Sequence, residues 1–311
     1  MKFDEKQARE IEAVAAQLAR GAGEILAGQF GRPMAVEYKG KGQQDPVTSA
    51  DRASQEYLVA EISRRFPGHG ILAEESAGES AVKSEEAPPD FLWVLDPLDG
   101  TTNFLNGLPV YAVSIGVLYR GWPLAGAIYV PWPKPGGGLV LHCRRGGGCF
   151  ADGAPVKVFE SEAPIAGRLV SLPGSFAHTT RFSRKLRAPA GEMRTTGSIA
   201  YELAMTACGV FQYAIIGGPR IWDMAAGALA VLEANGAVMA RLPGEKRWRQ
   251  LESLVPAWGV NTPTLKELRG WVAPLVAGNR QVAPLIAHNL RPRSRLFARL
   301  RRLRRFLRPA K

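Results

Sequence analysis

A chain of 311 residues with 46% hydrophobic and 22% charged content can hold one large or two ordinary domains and has a globular composition. Three cysteines (Cys143, Cys149, Cys208) without CxxC spacing exclude a disulfide framework and point to a reducing compartment. The net charge of +12 is not a property of the whole body: residues 290–311 hold nine Arg, one Lys and no acid.

Residues 4–30 space Ile11, Val14, Ala15 and Leu18 with the period of an amphipathic helix, stopped by Gly31-Arg32-Pro33. Charges interrupt this segment, so it reads as a helix and not a signal peptide, and no window has the ~18 apolar residues of a membrane span. A cytoplasmic protein is expected. The turn-rich KGKGQQDPVTSAD leads into a second helix over about 49–65, closed by Phe66-Pro67-Gly68. GILAEES (70–76) predicts a short strand running into acids, and FLWVL (91–95) a buried strand. VYAVSIGVLYR and LAGAIYVPW predict a β-hairpin around Gly121-Trp122-Pro123, and GGGLVLHCRRGGGCF and VKVFE two more strands.

Beyond residue 165 the pattern changes. GRLVSLPG predicts a strand, TTGSIAYELAMTACG a helix entered through Gly197-Ser198, and FQYAIIG a strand. WDMAAGALAVLEANG then predicts a helix closed by Gly236, and AVMARL a strand. Such alternation is the mark of an α/β unit, following a first half of α+β character. The expected organisation is an α+β domain over residues 1–162, an α/β domain over 163–277, and a linker with a basic tail over 278–311.

The chemistry is concentrated in WVLDPLDGTTNF (93–104), where an apolar strand delivers Asp96 and Asp99. Alone, DPLDGTT fits a plain turn and helix cap. Three further acid-bearing element ends change the balance: Glu74-Glu75 after ILA, Trp222-Asp223 before an apolar helix, and Thr48 with Asp51 in VTSAD. Each singly fits a cap or a solvated loop. Together they gather acids with no basic residue matched to them, which hard divalent cations with oxygen ligands explain best. Gly100 allows close backbone approach, and a helix starting at Gly100-Thr101-Thr102 would aim N–H groups at an anion. Metals beside such amides make a phosphate site, one metal activating water and the other stabilising the leaving oxygen.

With these residues in view, WVLDPLDGTTNF and WDMAAGALAVLEANGAVM resemble the two signature regions of the inositol monophosphatase family. DPVTSAD, AEES, LPVYAVSIGVL and GGGCFADGAPVKV extend the resemblance, in order, over about residues 5–270. The resemblance implies a layered αβαβα sandwich of the sugar-phosphatase (fructose-1,6-bisphosphatase-like) type, Mg²⁺ dependence with two or three ions per site, a homodimer and lithium sensitivity. It implies that Glu74, Asp96 and the Leu98 carbonyl hold the first metal, and Asp96, Asp99 and Asp223 the second. Thr101, bonded to Asp51 and with Glu74 nearby, would orient and help deprotonate the attacking water. Asp99 and the N–H groups of Gly100 and Thr101 would meet the phosphate. Gly197, Ser198 and Ile199 fall where the family contacts the hydroxyl-bearing ring, although Ser198 also fits a helix cap.

One position departs from the family. Inositol-specific members carry an acid seven residues before the metal-binding Asp223, and here that residue is Ile216. Isoleucine accepts no hydrogen bond, so ring hydroxyls facing it would go unpaired.

The expected function is hydrolysis of inositol monophosphate or a similar polyol or sugar phosphate. A 3′-phosphonucleotide, histidinol phosphate or fructose 1,6-bisphosphate are the alternative substrates. In the tail, Leu296, Leu300, Leu303 and Leu307 lie on one face of a predicted basic helix. That helix fits an anionic membrane surface, an acidic partner or RNA, or packing on the body, so a phosphatase-fold scaffold is the non-enzymatic alternative.

Overall fold

The computed structural model describes residues 3–293, apart from 34, 39–45, 76–86, 135, 187–190, 243 and 257. The arginine-rich helix predicted beyond residue 293 lies outside the described residues.

Helix α1 (Glu5–Gln29) starts where the Asp4 carboxylate accepts the Lys6 N–H, and it buries Ile11, Ala15, Leu18, Ala22 and Leu26 along one stripe. Helix α2 (Ser49–Arg65) runs beside it, entered through a Thr48–Asp51 capping box. Both lie on a seven-stranded sheet: β1 (Gly70–Ala73), β2 (Phe91–Asp99), β3 (Ala112–Tyr119), β4 (Trp122–Val130), β5 (Leu139–Arg144), β6 (Gly148–Ala151) and β7 (Ala154–Pro155). Only β1 and β2 pair in parallel, and every later pair is antiparallel.

The opposite face of this sheet carries helices α4 (Ile199–Ala207) and α5 (Ile221–Glu233), which also cover a second sheet. That six-stranded sheet contains β8 (Leu169–Ser171), β9 (Glu192–Arg194), β10 (Phe211–Ile216), β11 (Gly236–Ala240), β12 (Arg249–Gln250) and β13 (Leu275–Asn279), in the order β9-β8-β10-β13-β11-β12. Helix α6 (Val282–Asn289) closes its far side with Val282, Ala283 and Ile286 fully buried. The layers are therefore helices, sheet, helices, sheet and helix, which is the αβαβα sandwich expected.

Small residues let α5 sit close on the first sheet. A Cβ added to Gly116 would come within 2.7 Å of the Ala225 Cβ, and one on Gly126 within 3.0 Å of the Ala226 Cα. The Ser114 hydroxyl donates to the Trp222 carbonyl at 3.0 Å, fixing the start of α5 over the end of β2.

Three expectations need correction. Residues 278–293 are not a linker: β13 is interior to the second sheet, and α6 packs on it. VKVFE forms no strand, because pairing ends with the short Ala154–Pro155 segment and Val156–Glu160 has no ladder partner. Helix α5 is closed not by Gly236 but by Asn235 at φ 67°, a left-handed conformation that asparagine tolerates, while Gly236 opens β11.

Candidate active site

The end of β2 is the anchor. Its register with β3 is regular through Asp96↔Ser114 and then shifts before Asp99↔Ala112, which turns Pro97 and Leu98 out of the ladder. The Leu98 N–H donates to Asp96 Oδ1 at 3.1 Å, and the Ser54 hydroxyl of α2 holds the Pro97 carbonyl at 2.9 Å. Glu74 follows β1 directly, and its N–H donates to the Leu95 carbonyl at 3.0 Å, so its carboxylate is brought beside Asp96. Asp223 sits in the first turn of α5, where its Oδ2 accepts the Arg220 N–H at 2.8 Å. Four carboxylates, two from β2 and one each from the end of β1 and the first turn of α5, thus open on one cleft of about 450 Å³, together with Leu98, Gly100 and Thr101.

Their electrostatics are costly. Asp96 is 2% exposed, and burial first, then Glu74, Asp99 and Asp223, raise its pKa well above the usual carboxylate range. Burial and Asp223 do the same to Asp99, and burial pushes Asp223 up to about 7. Cations do line this cleft, contrary to the sequence reading. Arg220 and Arg269 form part of its wall, but among the described residues neither makes an ion pair with Asp96, Asp99 or Asp223. Arg220 hydrogen bonds to the Arg269 carbonyl, and the half-buried Arg269 reaches the Glu74 carbonyl at 3.4 Å. Arg220 stands in PRIWD, three residues before Asp223, and was legible there; Arg269 carries no such signal.

Among the described residues, no three His, Cys, Asp or Glu side chains already form a ligand set for one ion. Their donor chemistry nevertheless fits a hard divalent cation: oxygen ligands only, largely buried, repelling one another.

On the opposite side of the cleft, Thr101 Oγ1 lies 3.1 Å from Asp51 Oδ1 and 3.0 Å from the Leu98 carbonyl, either of which its single proton can reach. Asp51 Oδ2 meanwhile accepts the Thr48 N–H at 2.8 Å and the Thr48 hydroxyl, so α2's own cap fixes the carboxylate. Burial outweighs these bonds and raises the Asp51 pKa. Gly100 adopts φ 93°, and a Cβ there would meet the Ser198 Cβ and the Val110 carbonyl, both at 3.0 Å. The helix it opens, α3 (Thr101–Leu105), is only five residues long.

Ser198 serves two elements. Its hydroxyl caps α4 by accepting the Tyr201 N–H, and donates to Asp99 Oδ2 at 2.8 Å; the Ala200 N–H reaches the same oxygen. Gly197, Ser198, Ile199 and Ile216 lie together on a neighbouring cleft that shares Asp99 with the first. Each site residue that the family resemblance implies is therefore on one of two adjoining clefts, except Asp51, which stands behind Thr101.

The family model described as inositol monophosphatase family matches residues 7–276. An inositol-1-monophosphatase of Mesorhizobium japonicum is 35% identical over 237 residues, covering 72% of this chain and 83% of the relative. The Nus factor SuhB of Escherichia coli is 34% identical over 231 residues, covering 72% and 83%. Among solved structures, the suppressor protein SuhB of Bartonella henselae superposes with a TM-score of 0.68 at 27% identity, covering 90% of this chain and 98% of that one. A Thermotoga maritima inositol monophosphatase gives a TM-score of 0.65 at 25% identity, covering 89% and 94%. Fold and sequence together define a phosphatase. The chain belongs to the inositol monophosphatase family, whose members are generally metal-dependent.

Proposed function

We propose that this protein is a Mg²⁺-dependent phosphomonoesterase that hydrolyses a small phosphorylated polyol or sugar by direct attack of water. The observation that carries this reading is the convergence of Glu74, Asp96, Asp99 and Asp223 on one cleft beside Gly100 and Thr101. Glu74, Asp96 and the Leu98 carbonyl would hold one cation, and Asp96, Asp99 and Asp223 a second. Cations bound there supply positive charge opposite the transferring phosphoryl group and make a nucleophile of water near neutral pH.

The chain's own groups do the rest. Thr101 Oγ accepts a proton from the attacking water as it passes its own to Asp51 Oδ1, and the Thr48 bonds keep that carboxylate aimed. The N–H groups of Gly100 and Thr101 bind the phosphate oxygens. Ser198 and the Ala200 N–H orient Asp99 between phosphate and leaving group. The reading extends to a cytoplasmic, lithium-sensitive homodimer, supported by the family membership and by the free cysteines Cys143, Cys149 and Cys208.

Ile216 is 2% exposed and lines the leaving-group cleft, which supports a substrate other than inositol phosphate itself. A phosphate-release screen with Mg²⁺ over inositol phosphates, sugar phosphates, histidinol phosphate and 3′-phosphonucleotides tests the reading. Release from at least one is expected, and release from none refutes it.

A second, non-enzymatic role is favoured by relatives that bear the name Nus factor SuhB. Deleting residues 294–311 tests it: an RNA-binding or membrane-binding role of the tail requires that such binding disappear while phosphate release survives.

A further inference from the structure

Strands β11 and β13 are antiparallel neighbours, a pairing that a turn of about two to five residues can join. Here the chain instead makes an excursion over residues 241–274 that travels back to the acid cluster. The excursion is well packed. Leu251, Leu254, Leu265 and Leu268 are buried. The Leu254 N–H and the Ser253 hydroxyl donate to the Gly121 carbonyl at 2.9 and 3.0 Å, and the Trp271 indole N–H donates to the Leu254 carbonyl at 3.1 Å. Near its end a short helix, Leu265–Arg269, starts from a Thr264–Glu267 capping box and finishes on Arg269.

Arg269 is fixed by its backbone and its side chain. Arg220 Nη1 donates to its carbonyl at 3.3 Å, and Val272 forms a bridge with Arg220, so the excursion is tied to the residue that caps α5. Its half-buried side chain donates through Nη1 to the Glu74 carbonyl at 3.4 Å, in the wall of the cleft that holds Glu74, Asp96, Asp99 and Asp223. A guanidinium carries five N–H donors in a planar fork, and that bond takes one of them. Burial lowers the Arg269 pKa against the opposing pull of Glu75, the mark of a cation partly withdrawn from water.

The charges in the cleft wall explain what such a cation can do. Four ionised carboxylates and the two guanidinium groups of Arg220 and Arg269 leave two net negative charges. Two divalent cations and a phosphate dianion would bring that wall to neutrality, whereas the acids without the arginines would leave the filled site negative. A guanidinium here is repelled by bound metal and attracted by bound phosphate.

We propose that Arg269 is a phosphate-binding residue of this site, meeting the phosphoryl oxygens of substrate and product from the wall that Glu74 forms. This rests on the phosphatase reading above and adds to it a ligand supplied by the 241–274 excursion. Arginine holds phosphate through parallel, charge-assisted hydrogen bonds, and the anchored backbone sets its direction before the substrate arrives. The same charge opposes metal binding while no phosphate is present, so its two effects have opposite signs.

The test is a thermal shift on the full chain, on Arg269→Met and on Arg269→Lys, first in Mg²⁺ alone and then in inorganic phosphate at saturating Mg²⁺. Methionine keeps an unbranched stem and removes the charge. Arg269→Met should reach half of its Mg²⁺ shift at a several-fold lower Mg²⁺ concentration, yet need roughly tenfold more phosphate, the scale of one charge-assisted hydrogen bond. Arg269→Lys should return the Mg²⁺ midpoint to that of the parent and recover only part of the phosphate response, because an ammonium lacks the planar fork. Simple loosening of the excursion would weaken both responses together. That result, or a phosphate response that Arg269→Met leaves unchanged, overturns the inference while sparing the phosphatase reading. A parent chain whose Tm responds to neither Mg²⁺ nor phosphate sinks both.

Discussion

Thr101 and Asp51, fifty positions apart in the chain, meet at 3.1 Å where the first turn of α3 faces the first turn of α2. The contact is relayed further, since Asp51 is held by Thr48 of its own capping box. A device that ends a helix therefore also aims a proton acceptor. Replacing Thr101 with Ala should lower kcat by roughly 10²–10⁴-fold with little change in KM, as expected for loss of proton transfer. Thr101→Ser should restore most of the rate. Steady-state kinetics on the pair checks this, and equal losses in both variants would assign Thr101 a packing role only.

The acid cluster predicts an unusual pH dependence in metal-free protein. Asp223 is pushed from 3.8 up to about 7, and Asp96 and Asp99 are raised as well. A folded-state pKa above the unfolded one gives stability that is complete below the unfolded value and lost as pH rises through the folded value. With a chelator present, Tm should therefore fall between about pH 5 and pH 8. Mg²⁺ should raise Tm more at pH 8 than at pH 5, because binding requires the ionised acids. Differential scanning fluorimetry in chelator and in Mg²⁺ reads both effects, and a Tm indifferent to Mg²⁺ at pH 8 would contradict the metal assignment.

Gly100 should not tolerate a side chain. At φ 93°, with Ser198 and Val110 at 3.0 Å from a built Cβ, Gly100→Ala is strained and crowded at once. A cost of about 1–3 kcal/mol is expected, measured by urea denaturation, together with a loss of kcat from displacement of Thr101.

Ser198→Ala removes a helix cap and an Asp99 bond in one step. The cap alone is worth about 1 kcal/mol. Activity should fall further than that loss of stability explains, because Asp99 keeps only the Ala200 N–H. Kinetics at a temperature well below Tm separates the two, and unchanged kcat/KM would confine Ser198 to capping.

Much of this was legible in the sequence, and for identifiable reasons. Long periodic segments gave α1 and α2 within a residue of their observed bounds, because capping and burial agree along them. Asp96, Asp99 and Asp223 were legible as metal-site candidates because acids at the ends of apolar elements conflict with local rules unless a ligand intervenes. Other features depend on tertiary contact. Residues 278–289 look like a Pro- and polar-containing linker, yet β13 and α6 are fixed by the sheet they complete. VKVFE has strand composition, but its backbone bonds go to separate elements, Val156 N–H to the Cys149 carbonyl and Val158 N–H to the Ala234 carbonyl, so no ladder forms. Arg269 reaches the site from a region without a motif, through a contact 195 residues long in sequence.

The central claim is that the buried acids serve metal-assisted phosphate release, and Asp96→Asn tests it most directly. Asparagine keeps the shape of Asp96 and relieves its repulsion with Glu74, Asp99 and Asp223, so in chelator the variant should be at least as stable as the parent. Phosphate release with Mg²⁺ on the best substrate should nevertheless fall by roughly a thousandfold or more, the scale of losing several kcal/mol of metal-borne stabilisation. A variant that is folded and retains full turnover would contradict the account.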